Sequence, residues 1–332
     1  MTMLKALVTG GAGFIGYHLA RALADRGWAV DILDNHARGV RDDALQALLG
    51  KPDVRMLEAD LRDGSVAVEM ATNYDAIFHL AAIIGVAHVR SRPYEVLTAN
   101  VAMLETVLSI ARRQEHLGRL VFASTSEIYA GTLQYFGIPV PTPEETPLTV
   151  GDLTEPRTSY MLSKLYGEAM CRFSGVPFTI VRFHNVYGPR MGLSHVIPQL
   201  LEKAHGLDDG ASLEVASVGH SRSFCYVDDA VEYLIRMATL PACASQTFNI
   251  GTQTPEVRIG DVAQVILDVI GRANSIAALP ETPGSPPRRA PDMTRAIEAT
   301  GYRSQVDLRS GVQRTYDWYR AHVFGQAAVC AV

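Results

Sequence analysis

The stretch LVTGGAGFIGYHLA, residues Leu7–Ala20, places four glycines within seven positions. It begins inside the apolar run Lys5–Thr9, which is typical of a buried strand, and leads into Phe14–Arg26, whose apolar spacing is helical. Glycines at a strand-to-helix junction allow a tight turn, let the backbone approach a pyrophosphate and leave the phosphates facing the helix N-terminus. The stretch therefore predicts a dinucleotide-binding turn. Its motif glycines, in the pattern G-x-x-G-x-x-G, are Gly10, Gly13 and Gly16.

An acidic residue follows the next predicted strand. Ala29–Leu33 ends directly before Asp34, roughly 20 residues beyond the glycine motif, where a carboxylate accepts the adenosine ribose hydroxyls. A carboxylate at this place repels a 2′-phosphate. The spacing therefore predicts NAD rather than NADP, and Arg38 and Arg41 are the nearby residues that could favour NADP.

Strands and helices alternate through the first half of the chain. This pattern is typical of a parallel sheet covered on both faces. We therefore expect an α/β fold, a Rossmann-type doubly wound parallel sheet with a smaller C-terminal substrate lobe. The further predicted strands are Val54–Glu58, Ala76–Leu80, Arg119–Ala123 and Phe178–Phe183. The expected dinucleotide-binding domain is 1–183, with 213–240 returning to it, and the expected substrate lobe is 184–212 with 241–332.

Composition narrows the class of protein. With 332 residues, 48% of them hydrophobic and 20% charged, the chain is expected to be globular with a large core. The net charge is −5 and no dense Lys/Arg block occurs, so neither nucleic acid nor a membrane is expected as a partner. We expect no signal sequence, no membrane span and a cytoplasmic location. The scattered cysteines predict core thiols, with no disulfide framework and no metal site; they are Cys171, Cys225, Cys243 and Cys330.

Two later segments carry residues suited to proton transfer. STSEIY, Ser124–Tyr129, ends a predicted strand, and YMLSK, Tyr160–Lys164, opens a predicted helix. Tyrosine and lysine at i, i+4 share one helix face, so the ammonium lies beside the phenol. Together with a positive nicotinamide ring, it is expected to lower the pKa of Tyr160 and make the phenol a base. A hydroxyl from the neighbouring strand end would stabilise charge on the reacting oxygen.

The ordered motifs resemble the extended short-chain dehydrogenases/reductases, in particular the NAD-dependent nucleotide-sugar epimerase/dehydratase group, over nearly the whole chain. The resemblance implies a tightly bound, recycled NAD, a nucleotide-diphosphate sugar as substrate, and a homodimer. Besides GGAGFIG, Asp34, STSEIY and YMLSK, the matching motifs are ADLRD (Ala59–Asp63), HLAA (His79–Ala82), TANV with Asn100, RFHNVYGPR (Arg182–Arg190), RSFCYVDD (Arg222–Asp229), FNIG (Phe248–Gly251) and RRAPD (Arg288–Asp292).

The resemblance also implies roles for individual residues. Thr125 and Tyr160 match the catalytic hydroxyl and base, and Lys164 matches the lysine on the nicotinamide ribose. The implied cofactor-binding residues are Gly10, Gly13, Phe14, Ile15, Gly16, Asp34, Asp60, Leu61, Leu80, Ala81, Ala82, Asn100, Tyr160 and Lys164. The implied substrate-binding residues are Ser126, Asn185, Arg222 and Arg288, with Arg222 on the diphosphate.

Several of these positions have a second interpretation. Asn100 and Asn185 could instead satisfy buried backbone groups. His79 is expected in the core, and His195 either lines the sugar pocket or lies in a surface turn. Many family members carry Arg-Pro-Gly-Asp late in the chain, where this sequence has ETPGS, residues 281–285. Arg288 and Arg289 are the candidates for the diphosphate contact that this departure removes.

The family's shared first step moves the sugar C4 hydride to NAD and a proton to Tyr160, which gives a 4-keto sugar. A 4-epimerase then returns hydride to the other face, a 4,6-dehydratase removes the C5 proton and expels the C6 hydroxyl, and a sugar-acid decarboxylase loses the C6 carboxylate. Glu127 as an acid/base near C5 and C6 slightly favours the last two reactions, although it could be a structural carboxylate. The alternatives are a UDP-sugar 4-epimerase and a catalytically silent NAD-binding scaffold or sensor. The intact set of Thr125, Tyr160 and Lys164 speaks against the silent protein.

Overall fold

The computed structural model describes residues 3–282 and 284–326. Its centre is a seven-stranded parallel sheet in the order β11-β6-β5-β4-β1-β2-β3. The strands are β1 (Lys5–Thr9), β2 (Ala29–Asp34), β3 (Val54–Glu58), β4 (Ala76–His79), β5 (Arg119–Thr125), β6 (Phe178–Phe183), β7 (Val186–Tyr187), β8 (Leu213–Ala216), β9 (Ser221–Arg222), β10 (Cys225–Tyr226), β11 (Gln246–Ile250), β12 (Val257–Arg258), β13 (Ile276–Leu279) and β14 (Arg288–Arg289).

Helices cover the sheet and build the smaller lobe. The α-helices are α1 (Phe14–Asp25), α2 (Asp43–Leu49), α3 (Val66–Glu69), α4 (Val86–Ser91), α5 (Pro93–Arg112), α6 (Ala130–Phe136), α7 (Arg157–Phe173), α8 (Val196–His205), α9 (Val227–Thr239), α10 (Ile259–Ile270), α11 (Thr294–Thr300) and α12 (Leu308–His322). Short 3-10 helices cover Ser126–Tyr129, Pro241–Cys243 and Phe324–Gln326.

The central strands are apolar on both faces. Along β1, Ala6 and Val8 enter one hydrophobic core while Leu7 enters the other, because successive side chains of a strand point to opposite faces. Helices α1 and α9 lie against the first core, and α5 and α7 against the second. The expected doubly wound Rossmann-type sheet is confirmed.

Strand order fixes where a ligand can bind. The chain runs from β1 outward to β2 and β3, then returns to the other side of β1 with β4, β5 and β6. The reversal opens a crevice between the carboxyl ends of β1 and β4, the usual ligand site of open α/β sheets. The glycine turn after β1 and residues 80–82 after β4 both lie at this crevice.

The strand pairing departs from the expected domain boundaries in both directions. β11, from the segment expected in the substrate lobe, completes the large sheet beside β6, since the buried Phe248 and Ile250 extend its core. β8, from the segment expected to return to the sheet, pairs with β13 instead. β9 and β10, from the same segment, also lie outside the large sheet, while α9 packs on α1 beside it. β9, β12 and β14 form a separate three-stranded sheet of the smaller lobe.

Two further features bear on the class of protein. Helix α5 is long and apolar enough to cross a membrane, but 56% of its apolar window is buried inside the protein, as in a core helix. Cys171, Cys225 and Cys243 are free thiols with no exposed surface, as expected, while Cys330 lies outside the described residues. Within residues 3–282 and 284–326, no group of three or more His, Cys, Asp or Glu side chains could hold a metal ion.

Candidate active site

The glycine turn is packed so closely that side chains are excluded. Gly10 has φ +71°, and a Cβ there would lie 2.8 Å from the backbone nitrogen of Ala81. A Cβ on Gly16 would collide with the Gly10 carbonyl oxygen. No side chain caps the N-terminus of α1, so its first-turn amides, including those of Phe14 and Ile15, are left for an anion. This turn fits the pyrophosphate of a dinucleotide.

Asp34 closes the adenosine end of the crevice. Its carboxylate accepts hydrogen bonds from the backbone amides of Ala12, at 3.0 Å, and His36, at 2.8 Å. The two arginines that could favour NADP are engaged elsewhere. Arg41 pairs with a glutamate on β3 at 2.7 Å, and Arg38 donates to the Ile84 carbonyl oxygen at 3.0 Å. The residues present therefore fit NAD, with Asp34 toward its ribose.

The residues predicted to contact adenine lie beside this carboxylate. Asp60 accepts a hydrogen bond from Asn35 at 3.1 Å, and Arg62 pairs with it at 2.7 Å. The Arg62 hydrogen bonds lower the pKa of Asp60 to about 2. Leu61 is buried under the same loop. Their contact with adenine stays a prediction.

The loop after β4 is held by Asn100. The Asn100 amide accepts from the Ile83 backbone N–H at 2.8 Å and donates to the Ile83 carbonyl and to Ser163, both at 3.1 Å. This arrangement matches the second interpretation of Asn100, a side chain that satisfies buried backbone. Through Asn100 the protein fixes the path of the loop that contains Leu80–Ala82, which was predicted to line the cofactor.

The predicted catalytic residues come together at the carboxyl end of β5. Thr125 ends that strand, and its side chain lies close enough to the phenol of Tyr160, in the first turn of α7, to act on the pKa of that phenol. One turn further on, Lys164 is 3% exposed and donates to the Ala123 carbonyl oxygen at 2.7 Å. The Lys164 Nζ lies 5.9 Å from the centroid of the Tyr160 ring. The i, i+4 pairing on one helix face is present as predicted.

The protein's own groups raise the pKa of Tyr160, whereas the expected lowering combined the Lys164 ammonium with the positive nicotinamide ring. Burial and the Glu127 carboxylate raise this pKa, and the Thr125 hydrogen bond and the Arg38 charge only partly offset them. Burial also lowers the pKa of Lys164 to about 8. Desolvation is stronger here than the attraction of a nearby cation. The protein's own groups therefore keep the phenol protonated, and the positive nicotinamide ring is the charge that would favour the phenolate.

Glu127 lies between two arginines. Its carboxylate contacts Arg289 at 2.8 Å and Arg157 at 3.2 Å, and its side chain is 27% exposed. Burial by itself would raise the pKa of Glu127, but Arg289 and then Arg157 outweigh it and lower this pKa. The sequence interpretation found Glu127 and named Arg289 for another contact, but it missed Arg157. The signal for Arg157 was its place three residues before Tyr160, on the same helix face.

Arg222 is a buried cation without an acidic partner. It is 9% exposed and donates to the carbonyl oxygens of Ser221 and Pro286 and to the Ser285 hydroxyl, at 2.6 to 2.9 Å. No carboxylate within the described residues lies in ion-pair range of it. Burial and the neighbouring Arg289 lower the pKa of Arg222 to about 10. A buried guanidinium served only by neutral oxygens is suited to an anionic ligand.

Asn185 and Arg288, two other predicted substrate-binding residues, have partners inside the protein. Asn185, at φ +40°, donates to the Ser223 carbonyl oxygen at 3.1 Å. Arg288 pairs with Glu256 at 2.6 Å and is more than half exposed. Arg289, rather than Arg288, therefore reaches Glu127. The predicted contacts of Asn185 and Arg288 with substrate stay predictions.

A buried ion pair supports the catalytic turn from below. Arg182 and Glu168 form a bidentate pair, with contacts of 2.8 and 2.9 Å. Ser124 donates to the same carboxylate at 2.7 Å, and Arg182 also donates to the Tyr129 hydroxyl at 2.8 Å. The ends of β5, β6 and α7 are thus tied together directly beneath Thr125. The sequence did not point to this network.

The two histidines differ in environment. His79 is 1% exposed and hydrogen-bonds Thr9 at 2.9 Å, so it lies in the core as expected. His195 is an exposed residue at the N-terminus of α8. Its predicted place in the sugar pocket is still untested.

These features define an NAD-binding Rossmann enzyme with a threonine, tyrosine and lysine at the carboxyl end of its fifth strand. The chain belongs to the NAD dependent epimerase/dehydratase family, whose model matches residues 6–251. This confirms the nucleotide-sugar epimerase/dehydratase group of the extended short-chain dehydrogenases/reductases, and NAD as the cofactor.

Relatives and solved structures agree with this assignment. The chain is 32% identical to a UDP-N-acetyl-alpha-D-glucosaminuronate decarboxylase from Bacillus cytotoxicus, over 95% of this chain and 98% of the relative. It is 30% identical to UDP-glucuronic acid decarboxylase 2 from Arabidopsis thaliana, over 97% of this chain and 69% of the relative. The structure is similar to DesIV, a dTDP-glucose 4,6-dehydratase from Streptomyces venezuelae with NAD and TYD bound, at a TM-score of 0.80 and 27% identity, over 96% and 98% of the two chains.

Proposed function

We propose that this protein is an NAD-dependent decarboxylase of a nucleotide-diphosphate sugar acid, acting through a 4-keto sugar. The observation that carries the proposal is the position of Glu127, held ionised between Arg157 and Arg289 beside Thr125 and Tyr160. The arrangement places a net positive charge next to the catalytic hydroxyls. Guanidinium groups are well suited to a substrate carboxylate.

Dehydration would need more proton-transfer groups than this site offers. A 4,6-dehydratase must take the C5 proton and also protonate the departing C6 hydroxyl. Glu127 is the one carboxylate in the turn Ser126–Tyr129, and two arginines lower its pKa, which makes it a poor proton acceptor. Its neighbour Ser126 is not an acid in the useful range. Decarboxylation needs neither a base for the C5 proton nor an acid for the C6 hydroxyl.

The bonds of the proposed reaction balance without an added oxidant. When bound, NAD would be the acceptor of the C4 hydride and its later donor. Tyr160 takes the proton of the C4 hydroxyl while Thr125 hydrogen-bonds the same oxygen. The C5–C6 bond then breaks, its electron pair moves toward the C4 oxygen, and carbon dioxide leaves. A proton from solvent is added at C5, and Tyr160 gives its proton back to the C4 oxygen when the C4 hydride is restored.

The nucleotide end of the substrate is assigned to the smaller lobe. Arg222 would bind the diphosphate, because it is buried and has no acidic partner among the described residues. Arg288 lies on the adjacent strand, β14, and could supply the second cation that ETPGS lacks. With this placement the sugar ring lies toward β5 and α7. The two arginines on Glu127 then flank its C5–C6 side.

A 4,6-dehydratase is the second candidate. It is favoured by the similarity to DesIV and by a glutamate two residues after the catalytic threonine. The relatives from Bacillus cytotoxicus and Arabidopsis thaliana described above, however, are both sugar-acid decarboxylases. A 4-epimerase requires neither Glu127 nor its two arginines, and a silent scaffold has no use for a buried tyrosine and lysine pair.

A substrate panel read by mass spectrometry tests the proposal. The NAD-loaded enzyme is incubated with UDP-glucuronic acid, UDP-N-acetylglucosaminuronic acid, UDP-glucose and dTDP-glucose. We expect at least one of the two acids to lose carbon dioxide and both neutral sugars to remain unchanged. Loss of water from a neutral sugar would instead support the dehydratase, and a new isomer of unchanged mass would support the epimerase.

We further propose that the enzyme is a cytoplasmic homodimer that pairs through α5 and α7. Both helices expose aromatic side chains, which water-facing helices usually lack. The exposed fractions are 79% for Tyr94, 58% for Tyr166 and 87% for Phe173. Light scattering after gel filtration should give twice the chain mass. Replacing Phe173 with Glu should shift the population toward the monomer.

A further inference from the structure

A small cavity lies beside the Glu127 pair. It is lined by residues that include Ser126, Tyr129, His184 and Arg289, and it holds about 20 Å³. A single hydroxyl group or water molecule needs roughly 10 to 15 Å³ of such space. The cavity is therefore the size of one hydroxyl group.

Hydrogen bonds around Asn249 determine which ring nitrogen of His184 carries a proton. The Asn249 amide nitrogen donates to the carbonyl oxygens of Thr142, at 3.0 Å, and Asp292, at 3.2 Å, which fixes the orientation of the amide. Its oxygen lies 3.1 Å from the Tyr129 hydroxyl and 3.1 Å from His184 Nε2. Because an amide oxygen only accepts, Nε2 must be the protonated nitrogen.

The other ring nitrogen of His184, Nδ1, then has a lone pair that can accept a hydrogen bond. Nδ1 is buried and has no hydrogen-bond partner among residues 3–282 and 284–326, and the whole residue is 1% exposed. Burial lowers the pKa of His184 to about 3, so the ring is neutral at physiological pH. Leaving a buried acceptor unpaired is costly. His184, which lines the cavity, thus has a buried acceptor that requires a donor.

We propose that His184 Nδ1 accepts a hydrogen bond from one ring hydroxyl of the bound sugar acid, which makes His184 a specificity-determining residue. The inference rests on the proposed function, since it places the sugar ring between Thr125 and Arg289. It adds a selection rule that the reaction itself does not require. The substituent directed at Ser126 and His184 must be a small hydrogen-bond donor.

Two substitutions separate the two nitrogens. In His184→Gln the side-chain amide can still donate to Asn249 from the position of Nε2, but the acceptor at Nδ1 is gone. In His184→Asn an acceptor remains near Nδ1, and the donor to Asn249 is lost. The matched pair therefore distinguishes a ligand contact from a structural role. Thermal unfolding of both variants checks that each remains folded.

Calorimetry on the NAD-loaded enzyme provides the test, with UDP-glucuronic acid and its 2-deoxy and 3-deoxy analogues as probes. We expect one deoxy analogue to bind wild type roughly ten- to a hundredfold more weakly than the parent. In His184→Gln that preference should disappear, while His184→Asn should keep most of it. Such coupling between a protein group and a ligand group is what a direct contact produces.

The remaining outcomes decide between the two proposals. Equal affinity of wild type for all three probes would show that water serves Nδ1, which overturns the role of His184 even if carbon dioxide is released. The expected binding pattern without carbon dioxide release would keep His184 and overturn the decarboxylase. If UDP-glucuronic acid does not bind wild type, both proposals fail for this sugar acid.

Discussion

The cofactor side and the sugar side of this active site are built in different ways. The dinucleotide-binding part of the cofactor side comes from one stretch of chain, since the turn after β1, the start of α1 and Asp34 all lie within residues 10–34. The sugar side brings together Glu127, Arg157 and Arg289, which belong to three distant segments. A contact within one motif is visible as spacing, whereas a contact between distant segments depends on how the sheet is assembled. The first side defines the family, and the second defines the reaction.

The largest expected effect is at Tyr160, where the two sides meet. Tyr160→Phe removes the proton acceptor but leaves the ring, so turnover should fall by about a hundred- to ten-thousandfold. NAD binding, followed by fluorescence titration, should stay within about twofold. The exposed Tyr166 on the same helix provides the control, because Tyr166→Phe should leave turnover unchanged. Near-normal turnover of Tyr160→Phe would rule it out as the base.

A smaller effect is expected at the two consecutive arginines of β14, and it should differ in kind. Arg289→Gln removes the closer partner of Glu127, so we expect kcat to fall by about a hundredfold. Arg288→Gln should mainly raise KM, since Arg288 contacts Glu256 and is assigned to the nucleotide end. Steady-state kinetics with the acid that loses carbon dioxide separates the two effects. Equal changes in kcat for both variants would contradict the assignment of Arg289 to the reacting end and Arg288 to the nucleotide end of the substrate.

The smallest expected effect concerns the cofactor side alone. The wild-type protein should bind NAD(H) at least about tenfold more tightly than NADP(H), because the Asp34 carboxylate would face the added phosphate. Asp34→Asn removes that charge and should reduce the preference, whereas the exposed Asp43→Asn should not. Titrations of both cofactors measure the ratio. Equal or tighter binding of NADP(H) by wild type contradicts this assignment.

The sequence predicts more of the cofactor side than of the sugar side. The glycine turn, Asp34 and the pair Tyr160 and Lys164 follow from local periodicities, and the structure brings each set together. Three features could not be predicted from the sequence. They are the sheets to which β8 and β11 belong, the contact of Arg157 with Glu127, and the ring nitrogen of His184 that carries the proton. Each depends on which distant segments become neighbours in a parallel sheet. No spacing within one segment encodes that neighbourhood.

The raised pKa of Tyr160 shows a second limit of prediction from the sequence, which concerns the effect of burial on charge. The sequence placed a cation beside the phenol but could not weigh burial, which raises the pKa of Tyr160 and lowers that of Lys164 to about 8. The same burial acts on Glu127, where two guanidiniums reverse it. Whether a buried group is charged thus depends on how many partners reach it, and only the folded chain supplies that number.

The most direct test of the central claim is the product formed by the NAD-loaded enzyme from UDP-glucuronic acid in heavy water. If Glu127 with its two arginines supports decarboxylation, the product is a UDP-pentose that has lost carbon dioxide and carries one deuterium at C5, because the proton added there comes from solvent. Mass spectrometry and proton NMR detect both changes. A product that keeps its carboxylate, whether unchanged in mass or short of one water, would contradict the account.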